Sequence, residues 1–279
     1  MNTLKDFFAN INRSSYVVIG GTILILLMLC AALAPWISPY DPLAIHAADR
    51  LQTPSSEYWF GTDELGRDIF SRMLYGARIS MLVGFSCVIL TLLVGIPLGL
   101  ACGYFPKFDK IASRIIDGFM AFPDMIVAIT LAAVWGSGMF PLIIALTISE
   151  FTRMARTVRG SVLTVKEMEY VESARSIGSN TGYILFRYIL PNSLSPIIIQ
   201  GAFIFAVTVL AEAALSFLGV GIPPTTPTWG NMLSSSRGYM QVAPWMMIFP
   251  GSAIGLAVLG LNLLGDGLRD LLDPRLRDI

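Results

Sequence analysis

Apolar residues run in long uninterrupted stretches along this chain, and the polar ones gather between them. A helix needs about 20 mostly apolar residues to cross a bilayer. Six stretches approach or exceed that length, near 16–34, 79–103, 118–135, 139–156, 193–217 and 244–266. The second, ISMLVGFSCVILTLLVGIPLGLACG, carries no charge. From Gly118 to Ser149 the chain is apolar apart from one acid, Asp124, and WGSGMFP at 135–141 divides that run, because Gly and Pro favour a turn. The fourth span is expected to run on past the membrane as a polar helix. The first run, Tyr16 to Pro35, is long enough to span, and the APWISPYDP that follows is a poor cleavage site, so it reads as a span and not as a signal peptide. The pattern predicts an all-α integral membrane protein with about six transmembrane helices.

Two segments between spans are long, and long loops usually carry function. Residues 35–78 are rich in Pro, Asp and Gly; residues 153–192 are the most charged part of the chain. Within the second, TVKEMEYVESARSIG at 164–178 has helical spacing. Thr164 with Glu167 fits a capping box at a helix start. Met168, Val171, Ala174 and Ile177 or Gly178 fall on one side. Gly178 suits the residue after a helix end, where a left-handed backbone is cheap only without a β-carbon. By periodicity this helix either lies on the membrane surface or offers its apolar face to a partner's groove.

The basic residues orient the spans. Fourteen of the 19 Lys and Arg fall on one side: Lys5, Arg13, Lys107, Lys110, Arg114, Arg153, Arg156, Arg159, Lys166, Arg175, Arg187, Arg269, Arg275 and Arg277. The other side holds Arg50, Arg67, Arg72, Arg78 and Arg237. The positive-inside rule then places both termini in the cytoplasm and 35–78 outside.

Composition agrees with lipid as the main solvent: the chain is 54% hydrophobic and 14% charged, with mean hydropathy +0.68. A formal net charge of +0 gives no basic field for nucleic acid. Cys30, Cys87 and Cys102 all sit in apolar runs and read as small buried hydrophobes. The one histidine, His46, has no clustered partner, so a His-based metal or catalytic site is not expected. No phosphate-binding Gly-x4-Gly-Lys-Ser/Thr loop occurs, nor His-Glu-x-x-His, nor a Gly-x-Ser-x-Gly elbow.

A few residues invite two readings each. Asp124 and Glu212 lie in or near spans, where an ionised group costs roughly 2–4 kcal/mol or more and must face protein or water. Each is either part of a substrate path or gate, or sits at an interface or in a local hydrogen bond. Arg67 and Asp68 either brace the outer loop, whose GTDELGRD has turn chemistry, or touch a binding protein. Trp229 and Gly230 either line an outer gate or anchor at the lipid interface. Gly95, Pro97, Gly99 and Gly103 read as helix packing or a kink.

Taken together, these residues resemble a known family. Permeases of binding-protein-dependent ABC importers carry a cytoplasmic motif of Glu-Ala-Ala, three residues, Gly, nine residues, Ile, one residue, Leu-Pro. This chain has Glu172-Ser173-Ala174, Gly178 and Leu190-Pro191 at that spacing, with Ser173 for the middle Ala and Tyr188 for the Ile. FGTDELGRDIFSRMLYGARIS at 60–80, PPTTPTWGNML at 223–233 and NLLGDGLRDLLDPRLR at 262–277 resemble the C-type subunit of its dipeptide/oligopeptide/nickel branch. The resemblance covers nearly the whole chain.

It implies an ABC type I importer fold. Residues 1–78 would be an N-terminal span and external loop, 79–268 the permease domain, and 269–279 a cytoplasmic tail. A coupling helix near 164–178 would dock on an ATPase. The implied partners are a homologous B-type permease, two ATP-binding subunits, an extracytoplasmic solute-binding protein and the lipid of a bacterial inner membrane. ATP and Mg would be bound by the ATPases, with no cofactor in this chain. The implied cargo is small peptides, with nickel or another metal chelate, or glutathione, as alternatives. Outside the resemblance, a secondary transporter or channel would need no ATPase, and an intramembrane enzyme would need catalytic motifs the chain lacks.

Overall fold

The computed structural model describes residues 14–272, without the side chains of Asp124 and Leu272. Lys5, Arg13, Arg275, Arg277 and most of the 269–279 tail lie outside the described residues, so the basic-residue count is not completed by them. The described residues are helical, with one isolated bridge between Thr62 and Asp68 and no named strand.

The first span is α1, Ser15–Ile37. The second, α2, is Ile69–Tyr104, 36 residues or about 54 Å. It begins ten residues before the apolar run. Arg72 and Arg78 interrupt the hydropathy but not the helix, because Asp68 caps it by accepting from Ser71 N at 2.8 Å. Pro106 then opens α3, Pro106–Met120, an amphipathic helix that buries Ala112 and Ile116. After it come α4, Asp124–Trp135, and α5, Met139–Val165.

The expected third span at 118–135 is therefore not one helix. The chain breaks at 121–123 and bends by 84° between α3 and α4. Pro123 precedes α4, and a residue before proline is pushed out of the helical region. The 12 residues of α4 reach only about 18 Å, short of a bilayer core. Four described helices are long and apolar enough to cross, or five if the bent pair counts as one span. The fourth expected span, 139–156, falls in α5, which is long enough but turns polar in its second half with Arg153, Arg156 and Arg159, the polar continuation expected of it.

Beyond α5 the chain forms α6, Glu169–Ser176, and α7, Thr181–Ile184. A wider π turn follows over Leu185–Ile189, then α8, Leu190–Asn192, and the span α9, Leu194–Phe217. A short helix α10, Trp229–Ser236, precedes the last span α11, Trp245–Leu272.

The centre of the bundle is the α2–α5 contact. Gly95, Gly99 and Gly103 recur every four residues and form one stripe of α2. A β-carbon on Gly99 would lie 2.6 Å from the Ala155 carbonyl oxygen and from Val158 Cβ. One on Gly103 would lie 2.5 Å from Val162 Cβ, and one on Gly95 2.7 Å from Met154. The stripe lets the two backbones approach as small residues do between membrane helices. Its partners Met154, Val158 and Val162 are fully buried. Gly20 of α1 does the same against the Gly260 carbonyl of α11. Cys87 and Cys102 are buried and Cys30 is half-buried, all as free thiols.

Candidate functional site

The segment singled out at 164–178 folds differently at its two ends. Thr164 caps nothing: it belongs to α5, and its hydroxyl donates back to the Gly160 carbonyl at 3.3 Å. The capping box fails because α5 continues to Val165, and α6 starts only after a turn at Lys166–Met168. The far end behaves as expected. Gly178 has φ +81°, Ser179 N donates to Ala174 O at 3.1 Å and Gly178 N to Arg175 O at 3.0 Å. These are the paired bonds of a Schellman ending. A β-carbon on Gly178 would meet nothing within 4 Å, so the backbone turn alone asks for glycine here.

Val171 and Ala174 point into the protein, where they pack with Leu100, Val162, Val165, Ile184 and Ile189. Glu172, Ser173 and Arg175 point outward. Ile177, expected on the buried side, is 82% exposed. It sits at the C-cap, where the backbone already leaves the helical path. Of the Leu190–Pro191 pair, Leu190 packs against the same cluster and Pro191 is exposed in α8, just before α9. Tyr188, the departure from the motif, lies 6.2 Å from the Tyr170 ring and 5.8 Å from that of Tyr183, so an aromatic group replaces the smaller aliphatic one. Met168, Tyr170, Tyr183 and Phe186 are also exposed beside α6. The result is a short helix anchored by two small side chains, presenting a charged and apolar face.

Of the residues read as path or gate, Glu212, Trp229 and Gly230 are buried. Glu212 is 0% exposed. Ser80 of α2 donates to it at 2.9 Å and Ser216, one turn on, at 2.9 Å, while the Thr228 hydroxyl faces the same carboxylate. Trp229 is buried, its indole N–H reaching the Met73 carbonyl at 3.2 Å. Gly230 lies against α9, where a β-carbon would be 2.6 Å from the Ala213 carbonyl oxygen. Asn231, which the sequence reading passed over, closes the preceding loop by donating to the carbonyls of Ile222, Pro223 and Thr226 at 3.0–3.1 Å. Asp124 opens α4, and its side chain lies outside the described residues.

Arg67 and Asp68 are likewise turned inward, at 8% and 3% exposed. Arg67 pairs with Asp63 at 2.6 Å and with Glu64 at 3.1 Å. Asp63 also faces Arg72 at 3.5 Å. Gly66, with φ +77°, makes the turn possible, since a β-carbon there would run into the His46 carbonyl. Asp49 accepts from Gln52 and from the Tyr58 hydroxyl at 3.1 Å. Burial first, and then the Asp49 hydrogen bond, push the Tyr58 phenol up to about 12. The bonds of Arg67 and Asp68 are those of a brace.

One acid escaped the sequence reading. Glu150 of α5 is buried, pairs with Arg153 at 3.1 Å, and lines a cavity of about 30 Å³ with Ser149 and Thr208. The Thr208 hydroxyl is buried with no hydrogen-bond partner among the described residues. The signal was an acid directly after the apolar run that ends at Ser149.

Known proteins resemble this chain in sequence and in fold. The family described as binding-protein-dependent transport system inner membrane component matches residues 95–278, and the N-terminal TM domain of oligopeptide transport permease C matches residues 3–54. The dipeptide transport system permease protein DppC of Alkalihalophilus pseudofirmus is 42% identical over 98% of this chain and 90% of its own length. The glutathione transport system permease protein GsiD of Pectobacterium atrosepticum is 44% identical over 98% of this chain and 91% of its own. Among solved structures, an inward-facing form of the MetNI methionine ABC transporter aligns with TM-score 0.62 and 18% identity. It covers 72% of this chain and 96% of that one, a likeness of fold.

Proposed function

This chain belongs to the binding-protein-dependent transport system inner membrane component family, and from that premise we propose that it forms one half of a pathway for small peptides. It is a multi-pass membrane permease subunit of an ABC importer. A permease of this kind works with an ATPase and a second permease. Our reading is that these are a homologous B-type permease, two ATP-binding subunits that hold ATP and Mg, and an extracytoplasmic solute-binding protein. In this reading the chain sits in a bacterial inner membrane with both termini in the cytoplasm.

The observation that carries the coupling role is the construction of α6. Val171 and Ala174 fasten it to the ends of α2 and α5, while Glu172, Ser173, Arg175 and Ile177 face outward. A rigid, well-terminated helix with an exposed apolar and charged face suits a groove on a partner. ATP-driven closure of the ATPases would push on that helix and switch the pathway between outward- and inward-facing states. The buried Glu212, Arg67, Asp68, Trp229 and Gly230 support bracing of the outer half, and we assign them that role in place of direct contact with cargo.

The relatives named above transport dipeptides and glutathione, itself a small peptide, and that favours peptides over a metal chelate. To test the reading, the tagged chain is purified from its native membrane in mild detergent and its companions identified. Recovery of a second permease and one or two ATPases, with ATP-dependent uptake of a labelled dipeptide once the binding protein is added, is the expected result. A chain that comes alone and transports without ATP overturns it. A binding protein that retains glutathione and rejects dipeptides moves the cargo to the second reading.

A further inference from the structure

Four elements meet where α2 ends. The Gly103 carbonyl, in the last turn of α2, accepts from Lys166 Nζ at 3.1 Å. Lys166 closes α5 and stands three residues before α6. The Arg175 guanidinium of α6 lies 5.8 Å over the Tyr104 ring. Asp109, in the first turn of α3, takes both arms of Arg159 of α5, at 2.6 and 2.7 Å, and also accepts from Ser113 at 2.6 Å.

The physical character of these contacts differs from the apolar packing around them. Apolar surfaces resist separation but can slide. A bidentate guanidinium–carboxylate pair fixes orientation as well as distance. The Arg159 and Asp109 side chains are 33% and 20% exposed, so solvent and salt weaken the pair less than an open surface one. Lys166 satisfies a helix-end carbonyl and lies at the negative end of the α2 dipole. The tie is also needed, because α3 buries only Ala112 and Ile116 and borders a polar cleft of about 540 Å³ lined by Ser113, Asp117, Arg156 and Arg159. Arg156 of α5 also pairs with Asp117 of α3 at 2.6 Å, but those side chains are 51% and 62% exposed, so the Asp109–Arg159 pair is the better shielded of these two polar ties between α3 and α5.

We propose that Lys166 and the Asp109–Arg159 pair are positioning residues that make α6, the foot of α2 and α3 move as one body, so that a push on α6 reaches α2. The proposal rests on α6 being the coupling helix. It assigns to this junction the transmission step, which neither the motif residues nor the buried brace around Glu212 perform.

The test uses the intact transporter with its partner subunits. Spin labels replace Ile177 and Ile111, both well exposed, and in a second set Ile177 and Trp59, the latter beside the opposite end of α2. Cys30, Cys87 and Cys102 are changed to alanine. Distances are read without nucleotide and with ATP and vanadate. The expected result is a 177–111 distance that does not respond to nucleotide and a 177–59 distance that does. In Asp109→Asn and Lys166→Gln the 177–111 distance should become nucleotide-dependent, with uptake of labelled dialanine per ATP hydrolysed falling about tenfold. The charge swap D109R/R159D and the conservative K166R should restore both. A nucleotide-dependent 177–111 distance in the parent protein overturns the proposal. So does a fixed one in the variants with coupling within about twofold of the parent. Lys166→Gln breaks no buried pair and serves if the Asp109 variants do not fold. Absence of an ATPase from the purified complex would fail the coupling assignment itself, whereas an ATPase present with an unresponsive variant set fails only this linkage.

Discussion

Glu212 and Ser80 are 132 residues apart in sequence and 2.9 Å apart in the folded chain. Their hydrogen bond joins α9 to α2 inside the bundle, and Ser216 supplies a second donor to the carboxylate. Burial without these donors would be costly, since an unsatisfied carboxylate in a low-dielectric interior costs several kcal/mol. Replacing Ser80 with Ala should therefore destabilise the purified protein by about 1–3 kcal/mol. Glu212→Gln keeps the shape and should cost less than Glu212→Leu, which strands both serines. Thermal unfolding in detergent orders the three; an unchanged midpoint for Glu212→Leu would remove the brace from the account.

Gly178 separates backbone demand from crowding. Its left-handed conformation should make Gly178→Ala cost about 1–2 kcal/mol, and Gly178→Asn less. Among the described residues nothing lies within 4 Å of the missing β-carbon, so Gly178→Leu should be no less stable than Gly178→Ala in the isolated subunit. Uptake should nevertheless fall further for Leu if a partner closes over this face. Equal uptake for the two would mean that no partner approaches Gly178.

The α2–α5 stripe and Gly118 form a contrasting pair. Gly99→Ala forces a methyl group against Ala155 and Val158 and should destabilise by about 1–3 kcal/mol. Gly118, in α3, has open space on its side-chain face. Gly118→Ala should be neutral or stabilise by up to about 1 kcal/mol. Membrane yield and unfolding midpoint report both changes, and a tolerated Gly99→Leu would contradict the close approach of α2 and α5.

Tyr58 gives the segment between α1 and α2 a titration signature. Its phenol is raised from 10.0 to about 12 by burial and by donation to Asp49. The neutral form is the one the folded segment favours. Its contribution is thus complete below pH 10, the unfolded value, and is lost as pH climbs towards 12. Absorbance titration of the phenolate should show one late-ionising tyrosine that is missing in Tyr58→Phe. If the absorbance lost in Tyr58→Phe is that of a phenol ionising near 10, Tyr58 is neither buried nor held by Asp49.

Length and hydropathy made the spans α1, α2, α9 and α11 legible, because lipid imposes long apolar runs. They could not reveal the break at 121–123, since a bend within an apolar run leaves hydropathy unchanged. The left-handed Gly178 was legible because only glycine takes that turn cheaply. The start of α6 was not: Thr164 and Glu167 satisfy a local capping pattern, but α5 draws Thr164 into its own last turns by packing Val162 and Val165 against Val171 and Ala174. Among the functional candidates, Glu172, Ser173 and Gly178 were found by motif spacing. The inward turn of Trp229 and Arg67 was hidden, because their partners Met73 and Asp63 are identified by folding and not by residue type. Glu150 escaped for a related reason: one acid at the polar end of an apolar run reads as the start of a loop until α5 carries it inward.

The length of α2 constrains how the protein sits in its solvent. At about 54 Å it is nearly twice the roughly 30 Å of hydrocarbon in a bilayer. To lie wholly within that layer it would have to lean by about 56°, beyond the roughly 0–40° found for membrane helices. Several turns must therefore stand in headgroups or water. A rod with a protruding end converts a small rotation at its foot into a larger sideways displacement at its tip, where Met73 holds the indole of Trp229.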